Sequence, residues 1–291
     1  MLNIKKLASK TWIPVAAAAM IIGSSSAMVY ALNEDIPGRV SSNASATIAV
    51  TKNNIQTQAD MAVSNAGFTV INLSKKGLDD TQKKVIKDKL SSIKGITPQE
   101  IDEKYDTILS NMIPGEKDMS AEQAAAYAAG ILKKAYGLDF TGYTAEVSFS
   151  RNPVPNTDNW GVIFHAPKET KATDRYYVSV DSVKGTMLDA GCYNLDFDKQ
   201  VKSKNVEDPE WKDKAVQEIS KLLPANVAVT SSKVVGATPD LGVVVVCGIS
   251  DGSAYTVRLA GENKAAAAYQ YFPGGYDGSW DYHPVTPDGV G

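Results

Sequence analysis

The sequence predicts an α+β fold: tandem repeats of a helix packed on a small antiparallel sheet, preceded by an N-terminal helical segment. Three observations predict it. Helix-period apolar stripes with start signals open near Met119 and again near Asp208. Each is followed by short runs of period-two alternation, which puts one side of a strand against a core and the other toward water. The order also returns, so that Tyr255, Val257 and Leu259 alternate as Tyr176, Val178 and Val180 do.

Taken in order, residues 1–31 read as a signal peptide or N-terminal membrane anchor and 32–45 as a linker broken by Pro37 and Gly38. Residues 46–118 form an N-terminal α/β segment. Its strand-like runs are "ATIAV" and "GFTVINL", and its helices are "DDTQKKVIKDKLSSI", with Ile86, Leu90 and Ile93 on one face, and "TPQEIDEKYDTILSNMI". The second of these helices has Thr97 as N-cap, Pro98 in the first turn and Glu100 placed for a capping box, and Ile101, Tyr105, Ile108 and Met112 form its stripe.

Residues 119–195 form the first expected repeat. "SAEQAAAYAAGILKKAYG" begins with Ser120 and Gln123 as a capping box, carries Ala124, Ala128, Ile131, Leu132 and Ala135 on one stripe, and stops at Gly137. The strands "AEVSFSR", "WGVIFHAP", "RYYVSVD" and "GTMLDAG" follow. Asp181 to Gly185 turns the chain between the last two, Asp181 bonding turn amides and Gly185 supplying a backbone angle that other residues resist. Residues 207–272 form the second expected repeat: a helix with Asp208 as N-cap, Pro209 in its first turn and a stripe of Trp211, Ala215, Ile219 and Leu222, then "ANVAVTSSKVVG", "LGVVVVCGI", "AYTVRLAG" and "AAAAYQYF". Residues 273–291 are an irregular tail.

The N-terminus specifies an address. Lys5, Lys6 and Lys10 precede an apolar run, and Val29 and Ala31 suit cleavage before Leu32. The alternative is an uncleaved anchor, since Trp12 to Leu32 is long enough to cross a bilayer. With the positive residues N-terminal, both versions put the remainder outside the cytoplasm, secreted or tethered. A formal net charge of -3 provides no basic stripe, which excludes nucleic acid as the expected partner.

Residues able to carry chemistry are few. The chain has two histidines, His165 and His283, and nucleophilic catalysis needs a hydroxyl or thiol beside such a base. His165 reads as a rim residue bonded to its neighbours, and His283 falls in the tail. Asp277, Asp281, His283 and Asp288 are the tail's metal-ligand types, without EF-hand spacing. The tail aromatics would stack on sugars or cover a sheet edge. Cys192 and Cys247 are open to two readings: a bridge closing a loop of about 55 residues, contributing roughly 4 kcal/mol, or two buried free thiols. No catalytic, cofactor-binding or metal-ligating residue is assigned on these grounds, and no cofactor is expected.

The segments "MSAEQAAAYAAGILKKAYG", "WGVIFHAP" and "YYVSVDSVKGTML" resemble the PepSY family, the peptidase-propeptide-like domain of secreted and membrane-bound bacterial proteins. Val180, Asp181 and Gly185 match that family's Val-Asp-x-x-x-Gly hairpin, with Val183 and Lys184 where a Lys-Thr type pair is common. The second repeat departs from it, because "LAGENKAAAAY" has no aspartate at the equivalent place. The resemblance implies a non-enzymatic module that binds and regulates, or inhibits, another envelope protein such as a peptidase or hydrolase. The family has no catalytic residues to carry over. Two other readings stand beside it: a wall-associated enzyme with an unrecognised site, and a purely structural envelope component.

Overall fold

The computed structural model describes residues 67–152, 158–194, 196 and 202–281. The expected signal or anchor, the linker and the "ATIAV" strand lie outside the described residues, as do His283 and Asp288.

Helix starts follow the local chemistry closely. α1 is a single turn, Leu73–Lys76, capped by Asn72. α2 (Asp80–Ser91), α3 (Pro98–Ser110) and α4 (Ala121–Tyr136) each open on a reciprocal capping box: Asp79 with Gln82, Thr97 with Glu100, and Ser120 with Gln123. In each, two backbone N–H groups that have no partner inside the helix are satisfied by side chains. α4 ends at Gly137, whose φ of +70° is the left-handed cap. α5 (Glu210–Ser220) begins one residue later than expected and has no side-chain cap; Asp208 instead accepts a hydrogen bond from the Glu210 amide at 2.9 Å.

The strands are β1 (Thr69–Asn72), β2 (Thr144–Ser150), β3 (Asn159–His165), β4 (Arg175–Asp181), β5 (Met187–Tyr193), β6 (Val229–Thr238), β7 (Gly242–Ile249), β8 (Ala254–Ala260) and β9 (Ala265–Phe272). Their arrangement corrects the expected fold class. They form one nine-stranded mixed sheet in the order β1-β2-β3-β4-β5-β9-β8-β7-β6, and the described residues contain five helices rather than tandem repeats that each pack a helix on a small sheet of their own. β1 runs parallel to β2, and the other pairs are antiparallel. The join is β5 to β9, through Asp189 opposite Gln270, Ala190 opposite Tyr269 and Gly191 opposite Ala268.

The physical reason lies in the edges. Alternation tells which side of a strand is buried but not which neighbour it pairs with. Two small sheets would have left four edges of unpaired backbone groups, and pairing β5 with β9 removes two of them.

Both long sheet-covering helices lie on one face of this sheet and share one core. Ala124, Ala128 and Leu132 of α4 and Trp211, Ala215 and Ile219 of α5 are buried in the same cluster as Phe149, Trp160, Phe164, Val178, Val245, Val257 and Tyr269 of the strands. The alanine stripe of α4 lets its backbone lie close over β1 to β5. The α2–α3 pair has a small core of its own, Ile86, Leu90, Tyr105, Ile108 and Met112. Among the described residues no helix is long and apolar enough to cross a membrane.

Among the described residues the opposite face carries no sheet-covering helix. On β6 to β9 it holds a smaller cluster of Val235, Val244, Val246, Ala254 and Phe272, with Tyr276 of the following segment packed against it.

Candidate functional site

The open face acquires its character from two hairpins. In β4–β5, the Asp181 carboxylate accepts hydrogen bonds from the amides of Val183 at 2.9 Å and Lys184 at 2.7 Å, and Gly185 has a φ of +71°. The turn is docked where α4 begins: the Met119 amide donates to the Ser182 carbonyl at 2.7 Å, and the Ser182 hydroxyl to Asp118 at 2.6 Å. Trp160 closes the arrangement by donating its indole N–H to the Met119 carbonyl at 3.0 Å. Asp181 and Gly185 are therefore parts of a turn, as read from the sequence.

Past this turn the register shifts. Val180 pairs with Met187, but Ser179 pairs with Asp189, so Leu188 is the extra residue of a bulge. Simple alternation would place Asp189 on the same side as buried Met187. The bulge turns it to the open face instead, a common use of bulges near sites. A matching irregularity in β8–β9 pairs Arg258 with Ala268 and Leu259 with Ala266, leaving Ala267 over.

Two rows of side chains then cross the join. One row runs Val244, Arg258, Ala268, Gly191, Tyr177, and the next runs Val246, Thr256, Gln270, Asp189, Ser179. In the first row the two middle residues are small, and the Tyr177 ring lies over Gly191: a Cβ on that glycine would stand 2.7 Å from the ring and 2.8 Å from the Ala267 carbonyl oxygen. The result is a cleft of about 320 Å³ with Tyr177, Asp189, Thr256, Arg258 and Gln270 on its walls and Trp280 at its lip. Trp280 is fixed there by its indole N–H, which donates to Gln270 Oε1 at 2.8 Å, and by its amide, which donates to the Tyr276 hydroxyl at 2.8 Å.

The cleft's charges are not paired with each other. Burial pushes the Asp189 carboxyl above the usual carboxylate range, and a hydrogen bond from Ser179 only partly opposes this. Tyr177 is pushed up to about 12, first by burial and then by the Asp189 charge, with Arg258 acting the other way. Arg258 donates to the Leu241 carbonyl at 3.3 Å, and among the described residues its guanidinium has no carboxylate within salt-bridge distance. A cation, a carboxyl, a phenol, an amide and an indole thus converge on a space that the described residues leave open.

The residues singled out from sequence lie elsewhere. His165 is at the rim of the open face, with Nδ1 3.3 Å from both Glu169 carboxylate oxygens and Nε2 3.9 Å from Glu146. Glu169 is also gripped by Arg175 through two bonds of 2.7 Å, which, with His165 adding to it against the effect of burial, hold its carboxyl below the usual range. In the described hydrogen bonds the partners of this imidazole are carboxylates rather than a nucleophile.

Both cysteines are free, Cys192 half-buried and Cys247 buried, so the bridge considered as one alternative is not formed. Burial raises both thiols, Cys247 to about 11. In the tail, Asp277 accepts a hydrogen bond from the Ser279 amide at 3.0 Å, and Asp281 lies 3.6 Å from Lys233. Among the described residues no group of three or more His, Cys, Asp or Glu is placed to hold a metal ion.

Sequence reasoning missed Asp189, Arg258, Gln270 and Trp280 as a set. The available signal was Arg258, a charge inside the otherwise apolar run "AYTVRLAG" and out of phase with Tyr255, Val257 and Leu259. Comparison with known proteins adds no relative: no protein-family model, no curated protein and no solved structure matches this chain.

Proposed function

We propose that this chain is an exported or membrane-tethered, non-enzymatic protein that binds and regulates another protein of the bacterial envelope, a peptidase or hydrolase in the first instance. The observation that carries the reading is the polar cleft across the β5–β9 join, on the face that neither sheet-covering helix occupies. Concave sites with a few converging polar groups are where proteins take ligands. The described hydrogen bonds of His165 run to Glu169 and to no hydroxyl or thiol, which fits a binding protein better than nucleophilic chemistry. The likeness of residues 119–195 to the PepSY family and the export signal read in residues 1–31 supply the envelope context.

The test is photo-crosslinking in intact cells, with a photoreactive phenylalanine analogue placed at Tyr193 on the open face or at Lys133 on the outer side of α4. The expected result is one envelope adduct from Tyr193 and none from Lys133, with envelope peptidase or hydrolase activity altered when the chain is deleted. Hydrolysis of peptides or glycans by the purified chain, with no adduct from either position, overturns the reading.

A further inference from the structure

We propose that the cleft across the β5–β9 join receives the α-carboxylate end of a peptide, its carboxylate on the Arg258 guanidinium and an adjoining amide N–H on Asp189. This rests on the binding reading above and names the chemistry of what is bound. Four observations lead to it.

The first is the cation. An arginine fork prefers a planar, two-oxygen anion, and Arg258 meets only a neutral carbonyl among its described bonds. An uncharged sugar would leave that preference unmet. The second is the carboxyl. Asp189 stands in the neighbouring row with Ser179 as its partner, so the ligand must bring a donor as well as an anion. A phosphate dianion would set two negative charges against that carboxyl, whereas a peptide end carries one negative charge and, next to it, an N–H.

The third is the remaining hydrogen-bonding capacity. The Trp280 indole occupies Gln270 Oε1, which leaves the Gln270 amide N–H groups as donors, beside the Tyr177 hydroxyl. Donors therefore outnumber acceptors around the space, matching a carboxylate's lone pairs. The fourth is size. About 320 Å³ is near the lower limit of ligand pockets and suits one or two residues rather than a folded surface. Ala268 and Gly191 have no long side chains to fill the floor between Arg258 and Tyr177.

The ligand end has two possible sources, the C-terminus of a protein partner or a short free peptide, and the experiment separates them. The full chain is titrated with N-acetyl-Ala-Ala and with its C-terminal amide. Binding is read from the indole N–H resonance of Trp280, assigned by its loss in Trp280→Phe. The acid is expected to shift that resonance saturably and to bind at least about tenfold tighter than the amide. Arg258→Gln should abolish the preference for acid over amide, and Asp189→Asn should weaken binding while keeping the preference. Loss of the Tyr193 crosslink under saturating acid assigns the cleft to a protein C-terminus, and an undisturbed crosslink assigns it to short free peptides. Equal shifts by acid and amide, or no shift by either, overturn the proposal. In that case a persisting Tyr193 crosslink leaves the binding reading standing, and its absence removes both.

Discussion

Glu218 and Asp189 are carboxylates close to the same join, one on each face of the sheet, and they are treated in opposite ways. Glu218, on α5, is buried between that helix and the sheet, but Lys214 and Lys221 contact its two oxygens at 2.7 and 2.6 Å and the Tyr269 hydroxyl donates to it at 3.3 Å. Burial alone would raise its carboxyl; the two lysines outweigh that and hold it below the usual range. Burial also acts on Asp189, and among the described residues no cation is paired with it to offset that, so its carboxyl is raised. A buried charge that serves structure is paired within the chain. One left partly unpaired in a cleft is an arrangement that a ligand completes, and such groups gather at functional sites.

The largest expected effect tests the structural face. Trp211 is fully buried, with its indole N–H donating to the Asn205 carbonyl at 2.8 Å, and Trp211→Ala should lower stability by about 3–5 kcal/mol in denaturant unfolding. A loss comparable to that of a surface substitution would break the contrast between the faces. Gly191→Ala comes next, at about 1–3 kcal/mol, because its methyl must displace the Tyr177 ring or the Ala267 carbonyl. It should also abolish the Trp280 response to any ligand, since the floor of the cleft is disturbed. Gly185→Ala should lower stability by about 1–2 kcal/mol, through its left-handed backbone and because the added Cβ would stand 3.0 Å from the Tyr127 ring, and leave that response intact; the two further carbons of Gly185→Val should make it worse.

The two carboxylates also predict opposite pH dependences. Folded Asp189 holds its proton more tightly than the unfolded chain does, so its effect is to lower stability as pH rises from the ordinary aspartate value of 3.8 through the raised folded one. Folded Glu218 holds its proton less tightly, so its stabilisation is present above 4.5 and lost as pH falls through the depressed folded value. Thermal unfolding from about pH 4 to pH 7 should therefore show Asp189→Asn gaining on the unmodified chain as pH rises, and Glu218→Gln falling further behind it. The same direction for both variants would dissolve the contrast. The smallest effect belongs to Arg258→Gln, which should change stability by no more than about 0.5 kcal/mol because its guanidinium lacks a carboxylate partner among the described residues.

These effects also mark what was legible in the sequence. Capping boxes at Thr97 and Ser120, the Trp211 stripe and the Asp181 to Gly185 turn are local chemistry, and the structure contains each of them. The mixed sheet was not legible, because pairing of β5 with β9 joins residues about 80 positions apart and leaves no periodic trace. The cleft follows from that pairing, so it was hidden with it. Asp189 was hidden twice, since the Leu188 bulge reverses the side that alternation assigns to it. Wherever a side chain's role depends on register across a distant join, reading along the chain sees only its type.

Asp189→Asn, followed for stability and for capture of the partner in the same cells, tests the central claim most directly. A higher unfolding temperature at pH 7 together with a weakened Tyr193 crosslink is expected, because the carboxyl destabilises the free protein and serves the bound one. A lower unfolding temperature with the crosslink unchanged would contradict it, making Asp189 a structural residue that takes no part in binding at the open face.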